Sequence, residues 1–443
     1  MVARSVQVER EAERAIDQDL RPYLAIPSVA AQRRGIAEAT AFVERLLREL
    51  GADVQVFSDH GNPLVYGRIE GLRPETLMFY DHYDVQPEEP LDLWTSPPFE
   101  LTERDGLLIA RGVADNKGDF IARVAAVRAL EAAGELPVSV AFLVEGEEEI
   151  GSPSIEAEVR GHLGEIRADY CIWEAGGVDR DGRPDLTGGV KGILYVDLEV
   201  RTADRDLHSS LAPVAENPAW RLLEALTAIR PAAGSVAVPG FHATVEPMPP
   251  AALEAIAALE AESETVLASL EGVRRRPGTR PVHDLYTQPT CTICGLSAGY
   301  SGMGPKTVLP AEAGAKLDFR LVPGQDPRAI YAELRRFLDA QGFTDVETRM
   351  TVGELPYLSD PGHPFVETVR RSVRETYGKP PVYQPLTAGS GPMHAVAGQL
   401  GIPCVSMGCG YDGARAHSPN ENIRKADFLL GAQAVADVIS SLG

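Results

Sequence analysis

The run Thr76-Leu-Met-Phe-Tyr-Asp-His-Tyr-Asp84, read with Val138-Ser-Val-Ala-Phe-Leu-Val-Glu-Gly-Glu-Glu-Glu149, decides the fold of this chain. Each is a short apolar segment that stops abruptly in acidic or imidazole side chains. Apolar runs of this length predict strands buried on both faces. Tyr170-Cys-Ile-Trp-Glu174 repeats the pattern. Between the first two runs, Phe120, Val124 and Val127 recur at helical spacing and Gly134 offers a stop. Alternation of strand and helix predicts an α/β sheet with a parallel component. Such sheets bind ligands beyond the carboxyl ends of their strands, which is where the polar groups fall.

Outward from this core, Val43, Leu46, Leu47 and Leu50 predict an amphipathic helix over 36–50, closed by Gly51. After Lys191 the pattern changes. Leu194, Val196, Leu198 and Val200 alternate with Tyr195, Asp197, Glu199 and Arg201, as do Leu317, Phe319 and Leu321 with Lys316, Asp318 and Arg320. These predict strands with one buried face. Helices are expected around 218–230, 249–270 and 327–341. The reading is a second α+β domain over 192–355 inserted into a first built from 1–191 and 356–443. The first domain resumes with a helix at 364–377 and a strand at 403–407. Arg274-Arg275-Arg276 is read as a solvated loop.

Bulk properties narrow the function classes. The chain has 443 residues, too many for one ordinary core, and a formal net charge of −22. Binding nucleic acid needs a basic surface, so that partner is not expected. No segment approaches the ~20 apolar residues of a membrane helix, and Met1–Gln18 lacks an apolar leader core, so no membrane and a cytoplasmic location are expected. Five cysteines do not suggest a disulfide framework, and Cys291-Thr-Ile-Cys294 has no second pair to complete a zinc site.

The candidates for chemistry sit at strand ends. His82 and Asp84 are spaced to point the same way on a strand, the carboxylate supporting the imidazole. Asp115 opens the helix after Arg111-Gly-Val-Ala, either as its N-cap or as a ligand. Glu147, Glu148 and Glu149 repel one another unless cations or donors neutralise them. Glu174 ends the third strand, and His417 follows a glycine-rich loop. Two imidazoles and several carboxylates form a mixed donor set suited to Zn²⁺, Mn²⁺ or Co²⁺. With no His-Glu-x-x-His helix, a paired-metal site with a spare carboxylate fits better than a single zinc.

The residues at this point resemble the two-zinc metallopeptidases that include carnosine dipeptidases, glutamate carboxypeptidase, aminoacylase, acetylornithine deacetylase and succinyl-diaminopimelate desuccinylase. The matching segments are His82-Tyr-Asp-Val-Gln-Pro87, Trp94-Thr-Ser-Pro-Pro-Phe-Glu-Leu101, Arg111-Gly-Val-Ala-Asp-Asn-Lys-Gly118, Glu145-Gly-Glu-Glu-Glu-Ile-Gly-Ser152, Asp206-Leu-His-Ser209, Gly302-Met-Gly-Pro-Lys-Thr-Val-Leu-Pro310, Phe319-Arg-Leu-Val-Pro323 and His417-Ser-Pro-Asn-Glu421. The resemblance implies a mixed-sheet catalytic domain with an inserted lid and dimerisation domain. It implies that His82, Asp115 and Glu174 hold one metal, zinc first and manganese or cobalt next. Asp115, Glu149 and His417 would hold the other, with Asp115 bridging. It makes Glu148 the general base and Asp84 the residue that orients His82. His208 would reach the site of a partner subunit in a homodimer, and Arg320, Asn217 and Ser390 would hold the substrate carboxylate. The Asp115–Asn116 peptide is expected to be cis.

Three departures bear on the substrate. Asp81 stands where the family more often has Gly, a change expected to touch one neighbouring hydrogen bond. Thr387-Ala-Gly-Ser-Gly-Pro392 replaces the usual Gly-Gly-Ser-Ile-Pro loop. Glu174 is the residue of carboxypeptidases and deacylases, where dipeptidases tend to have Asp, although the other motifs and the long insertion look dipeptidase-like. The reading is therefore a metal-dependent hydrolase that releases a C-terminal amino acid from a dipeptide or short peptide. An N-acyl-amino-acid deacylase with the same machinery is the alternative, and a non-catalytic metal-binding protein the third.

Overall fold

A computed structural model describes residues 2–134, 136–231, 234–262, 272–274 and 278–443. The longer strands are β1 (Asp53–Phe57), β2 (Leu64–Ile69), β3 (Arg73–His82), β4 (Val138–Glu145), β5 (Tyr170–Trp173), β6 (Gly192–Arg201), β7 (Thr290–Ala298), β8 (Glu312–Leu321), β9 (Val346–Glu354) and β10 (Cys404–Ser406). The main helices are α1 (Val2–Ala15), α2 (Ile36–Glu49), α3 (Lys117–Ala132), α4 (Ile155–Gly161), α5 (Pro218–Ile229), α6 (Pro327–Ala340), α7 (Pro364–Tyr377) and α8 (Lys425–Ser441).

A ten-stranded mixed sheet runs in the order β1, β2, β4, β3, β5, β10, then Pro184–Thr187, Gly177–Val178 and Gly410–Tyr411, with Val382–Gln384 alongside Pro184–Thr187. The predicted parallel component is its centre, where β3 pairs β4 and β5, and β5 pairs β10. Alternation on β3 feeds two cores. Leu77 and Phe79 pack with α1, α2, α3 and α8 on one face, whereas Met78 and Tyr80 pack with α4 and the 393–397 turn on the other. Because its central strands are covered on both faces, the site at their carboxyl ends rests on a rigid support.

A second, four-stranded antiparallel sheet has the order β7, β8, β6, β9. Leu194, Val196, Leu198 and Val200 bury one face of β6 against α5 and α6, as their alternation predicts. β7 is an edge strand with Ile293 and Leu296 exposed. Gly189–Val190 and Tyr357–Leu358, just outside this sheet in sequence, pair with each other. The helix expected over 249–270 is described for Pro250–Ala261; residues 263–270, and Arg275 and Arg276 of the arginine run, lie outside the described residues.

Candidate metal centre

Two groups of donors form at the end of the large sheet, each with its ligand atoms within 4.8 Å of one another: His82, Asp115 and Glu174, and Asp115, Glu149 and His417. Asp115 belongs to both. Its Oδ1 lies 2.9 Å from His82 Nε2 and its Oδ2 lies 3.0 Å from His417 Nε2. Glu174 Oε2 is 3.1 Å from His82 Nε2, and Glu149 Oε2 is 3.1 Å from His417 Nε2. The Asp115–Asn116 peptide is cis. Asn116, not Asp115, takes the N-cap position of α3, so the Asp115 carboxylate is free to face the imidazoles.

The surroundings fix each donor. His82 is fully buried, and its Nδ1 lies 3.0 Å from the Asp84 carbonyl and 3.4 Å from the Asp84 carboxylate. Strand β3 ends at His82, so the strand geometry expected to align the two side chains gives way there, and the nearer support is backbone. The Asp84 carboxylate accepts instead from the Glu149 N–H at 3.1 Å, tying the two groups together. Gln86 donates to Glu149 from its backbone (3.1 Å) and its side chain (2.8 Å). His417 has φ 60° and Ala175, just after Glu174, has φ 63°. Non-glycine residues rarely adopt this left-handed region, at a cost of about 1–3 kcal/mol each, and such strain clusters at functional sites.

The charge pattern fits cations. Glu174 is buried, and its Oε2 has no hydrogen-bond partner among the described residues although His82 Nε2 lies 3.1 Å away. Burial, then the charges of Glu174, Asp115 and Glu145, push the Glu148 carboxyl up to about 9. Burial acts against ionisation of Asp115, yet hydrogen bonds from His417 and His82 hold it well below the usual range. Hydrogen bonds to Asp115 and Glu149 raise His417 to about 10. Carboxylates crowded in this way favour cations, which reverse the local pKa logic. The three Glu of the acidic run separate in role. Glu147 accepts from the Asn62 N–H at 3.0 Å and from Ser154, whereas Glu148 and Glu149 begin a short 3₁₀ turn facing the donors.

Buried charges that sequence reasoning left without a role build the support. Glu421 is buried and accepts from Arg111 (2.7 Å) and from the N–H groups of Gly112 (3.0 Å), Ala114 (2.9 Å) and Asp115 (3.1 Å). It joins the loop bearing Asp115 to the loop bearing His417. Asp81 touches one neighbouring side chain, as expected, and that contact is charged. It forms a buried ion pair with Arg123 at 2.7 Å, and Arg123 also donates to the carbonyls of Tyr80, Trp173 and Met407. One guanidinium thereby gathers the ends of β3, β5 and β10 beneath the site. Both glutamate and arginine motifs are visible in sequence, but their partners lie far along the chain.

The remaining candidates lie on or near the smaller sheet. Arg320, on β8, donates to Ser390 Oγ at 3.0 Å and pairs with Asp318 at 3.1 Å. Asn217 caps α5, its side chain accepting from the Ala219 N–H at 2.9 Å, so its carbonyl oxygen is already engaged. His208 is exposed, its ring contacting Ser210 Oγ (2.8 Å) and Thr307 Oγ1 (3.2 Å), and it belongs to neither donor group.

A sheet end with two donor groups sharing one aspartate, and a spare raised glutamate beside them, defines a metal-dependent hydrolase. The chain belongs to peptidase family M20/M25/M40, whose description it matches over residues 78–441. It is similar to an M20 family metallo-carboxypeptidase from Sulfolobus solfataricus, at 35% identity, with 95% of this chain and 97% of that one covered and a TM-score of 0.88. It is 26% identical to the Beta-Ala-His dipeptidase of Mus musculus, over 95% of this chain and 91% of the relative. It is 28% identical to a Cys-Gly metallodipeptidase of Saccharomyces cerevisiae, over 82% of this chain and 78% of the relative.

Proposed function

We propose that this peptidase hydrolyses dipeptides or short peptides and releases a C-terminal amino acid. The observation that carries the reading is Asp115, whose two oxygens are divided between His82 and His417 while Glu148 stands beside both groups. Relatives named as dipeptidases and as a carboxypeptidase support peptides over N-acyl amino acids. We assign His82, Asp115 and Glu174 to one divalent cation and Asp115, Glu149 and His417 to a second, zinc by the donor set, with manganese or cobalt next. When bound, such ions polarise the substrate carbonyl and make water acidic enough to lose a proton near neutral pH.

The chain's own groups account for the rest. Glu148 accepts the proton of the attacking water and passes it to the leaving nitrogen. Asp84 steadies His82. Arg320 with Ser390 receives the free carboxylate of the substrate, for which a planar guanidinium is suited. Asn217 acts there indirectly, by fixing the start of α5. His208 donates to the developing oxyanion from a second copy of the chain.

The division into 1–191 plus 356–443 and an inserted 192–355 is part of the proposal, with the insert acting as lid and dimerisation surface. The exposed edge of β7 and the exposed Val214, Trp220 (68%) and Met303 (97%) around the His208 region support a homodimer. A cytoplasmic location is proposed with it; no helix among the described residues is long and apolar enough to cross a membrane.

Metal content measured beside hydrolysis of a dipeptide panel and an N-acetyl-amino-acid panel tests the reading. Faster turnover of dipeptides is expected. Faster turnover of the acetylated panel would make the protein a deacylase. Bound metal with no turnover on either panel would leave a non-catalytic metal-binding protein.

A further inference from the structure

We propose a further divalent-cation site at Asp59, Glu158 and His162, behind the turn that carries Glu148 and Glu149 and separate from the paired groups. Glu158 and His162 are one helical turn apart at the end of α4, so they share a face, and Asp59 meets them from the loop after β1. Their donor atoms lie within 4.8 Å of one another. His162 Nε2 is 3.2 Å from Asp59 Oδ2 and 3.8 Å from Glu158 Oε2.

The imidazole is set up as a ligand. Glu165 Oε1 sits 3.0 Å from Nδ1 and is placed to take its hydrogen, leaving the Nε2 lone pair toward the two carboxylates. Metal-bound histidines almost always give their other ring hydrogen to an acceptor, a carboxylate being one of the usual three kinds. Phe57 stacks on the ring at 3.9 Å between centroids and 15° between planes, which limits its rotation.

Glu158 supplies the independent observation. Its side chain is 1% exposed, its Oε1 accepts from the His60 N–H at 2.6 Å, and its Oε2 is buried with no hydrogen-bond donor among the described residues. A buried carboxylate oxygen without a donor is costly, and a cation at Nε2 removes that cost. One nitrogen and carboxylate oxygens at a half-exposed site suit zinc among the borderline ions.

Occupancy would clamp the loop that holds the catalytic turn. Gly61 is pressed against that turn; a Cβ there would meet Ser154 Oγ at 2.2 Å and the Glu147 carboxylate at 2.7 Å. Asn62 donates from its N–H to Glu147 at 3.0 Å and from its side chain to the Gly146 carbonyl at 2.8 Å. Residues 59–62 are thus the physical link between a cation at His162 and the start of the Glu148–Ile150 turn.

The test is zinc bound per chain after equilibrium dialysis, for the full-length protein and for its Asp59→Asn and His162→Gln variants. Each variant should hold one equivalent less than wild type. Asp59 is exposed, so its variant keeps the test meaningful should the histidine change disturb α4. Zinc should also slow amide exchange at 60–62 in wild type and not in either variant. Because the difference between wild type and variants is read, the result stands even if the paired centre takes up fewer ions than expected. Equal zinc uptake by all three proteins would overturn the proposal and leave His162 as a protonated partner of its carboxylates.

Discussion

The surroundings of Asp115 and of His208 are opposites. Asp115 is held through its own N–H by Glu421, faced by two imidazoles and underlain by strands that Arg123 gathers. His208 stands on a two-residue strand, Leu207–His208, with Ser210 and Thr307 at its ring and exposed apolar side chains nearby. The first arrangement has its reorganisation paid in advance during folding, as electrostatic catalysis requires. The second has apolar surface that still awaits cover. In the proposed homodimer, the lid region of a second copy would bring His208 to the prepared centre.

Removing the shared ligand should have the largest effect. Asp115→Asn weakens both donor groups at once, so metal content and turnover should fall together to background; retention of either in full would break the prepared half of the comparison. Glu421→Gln strikes the support instead. Leaving Arg111 buried without its charge partner should cost about 3–5 kcal/mol in a denaturation experiment, and an unchanged unfolding midpoint would mean the support is dispensable.

His208→Ala removes a proposed oxyanion donor, and about 10²–10³-fold in kcat is expected. Mixing it with an inactive Glu148→Gln protein sharpens the point. If His208 acts in trans, reassorted dimers carry one complete site, and about a quarter of wild-type activity should return. A mixture that stays inactive while dimers exchange would place His208 in cis or outside the reaction. Arg320→Lys should be the mildest change, raising KM by about 10–100-fold with less effect on kcat, because the bidentate fork is lost and the charge is kept.

Much of the prepared half was legible before any coordinates. Apolar runs stopping in His82, Glu145 and Glu174 marked buried strands, and their sharp polar endings marked the working end of the sheet. The alternation on β6 likewise announced one buried face. Less legible was what holds the centre in place. Glu421 and Arg111 are 310 positions apart, and Asp81 and Arg123 are 42; no local pattern links such pairs, since burial alone makes them partners. Asn217, proposed near the substrate carboxylate, also precedes Pro218 at the start of α5, which is the ordinary signature of a helix cap.

Glu148→Gln tests the central claim most directly, because it alters one proton-accepting oxygen and none of the assigned ligands. Metal content and dipeptide hydrolysis should be measured on the same preparation. Metal content should match wild type, with kcat lowered by about 10²–10⁴-fold. Wild-type turnover in the variant would contradict the claim.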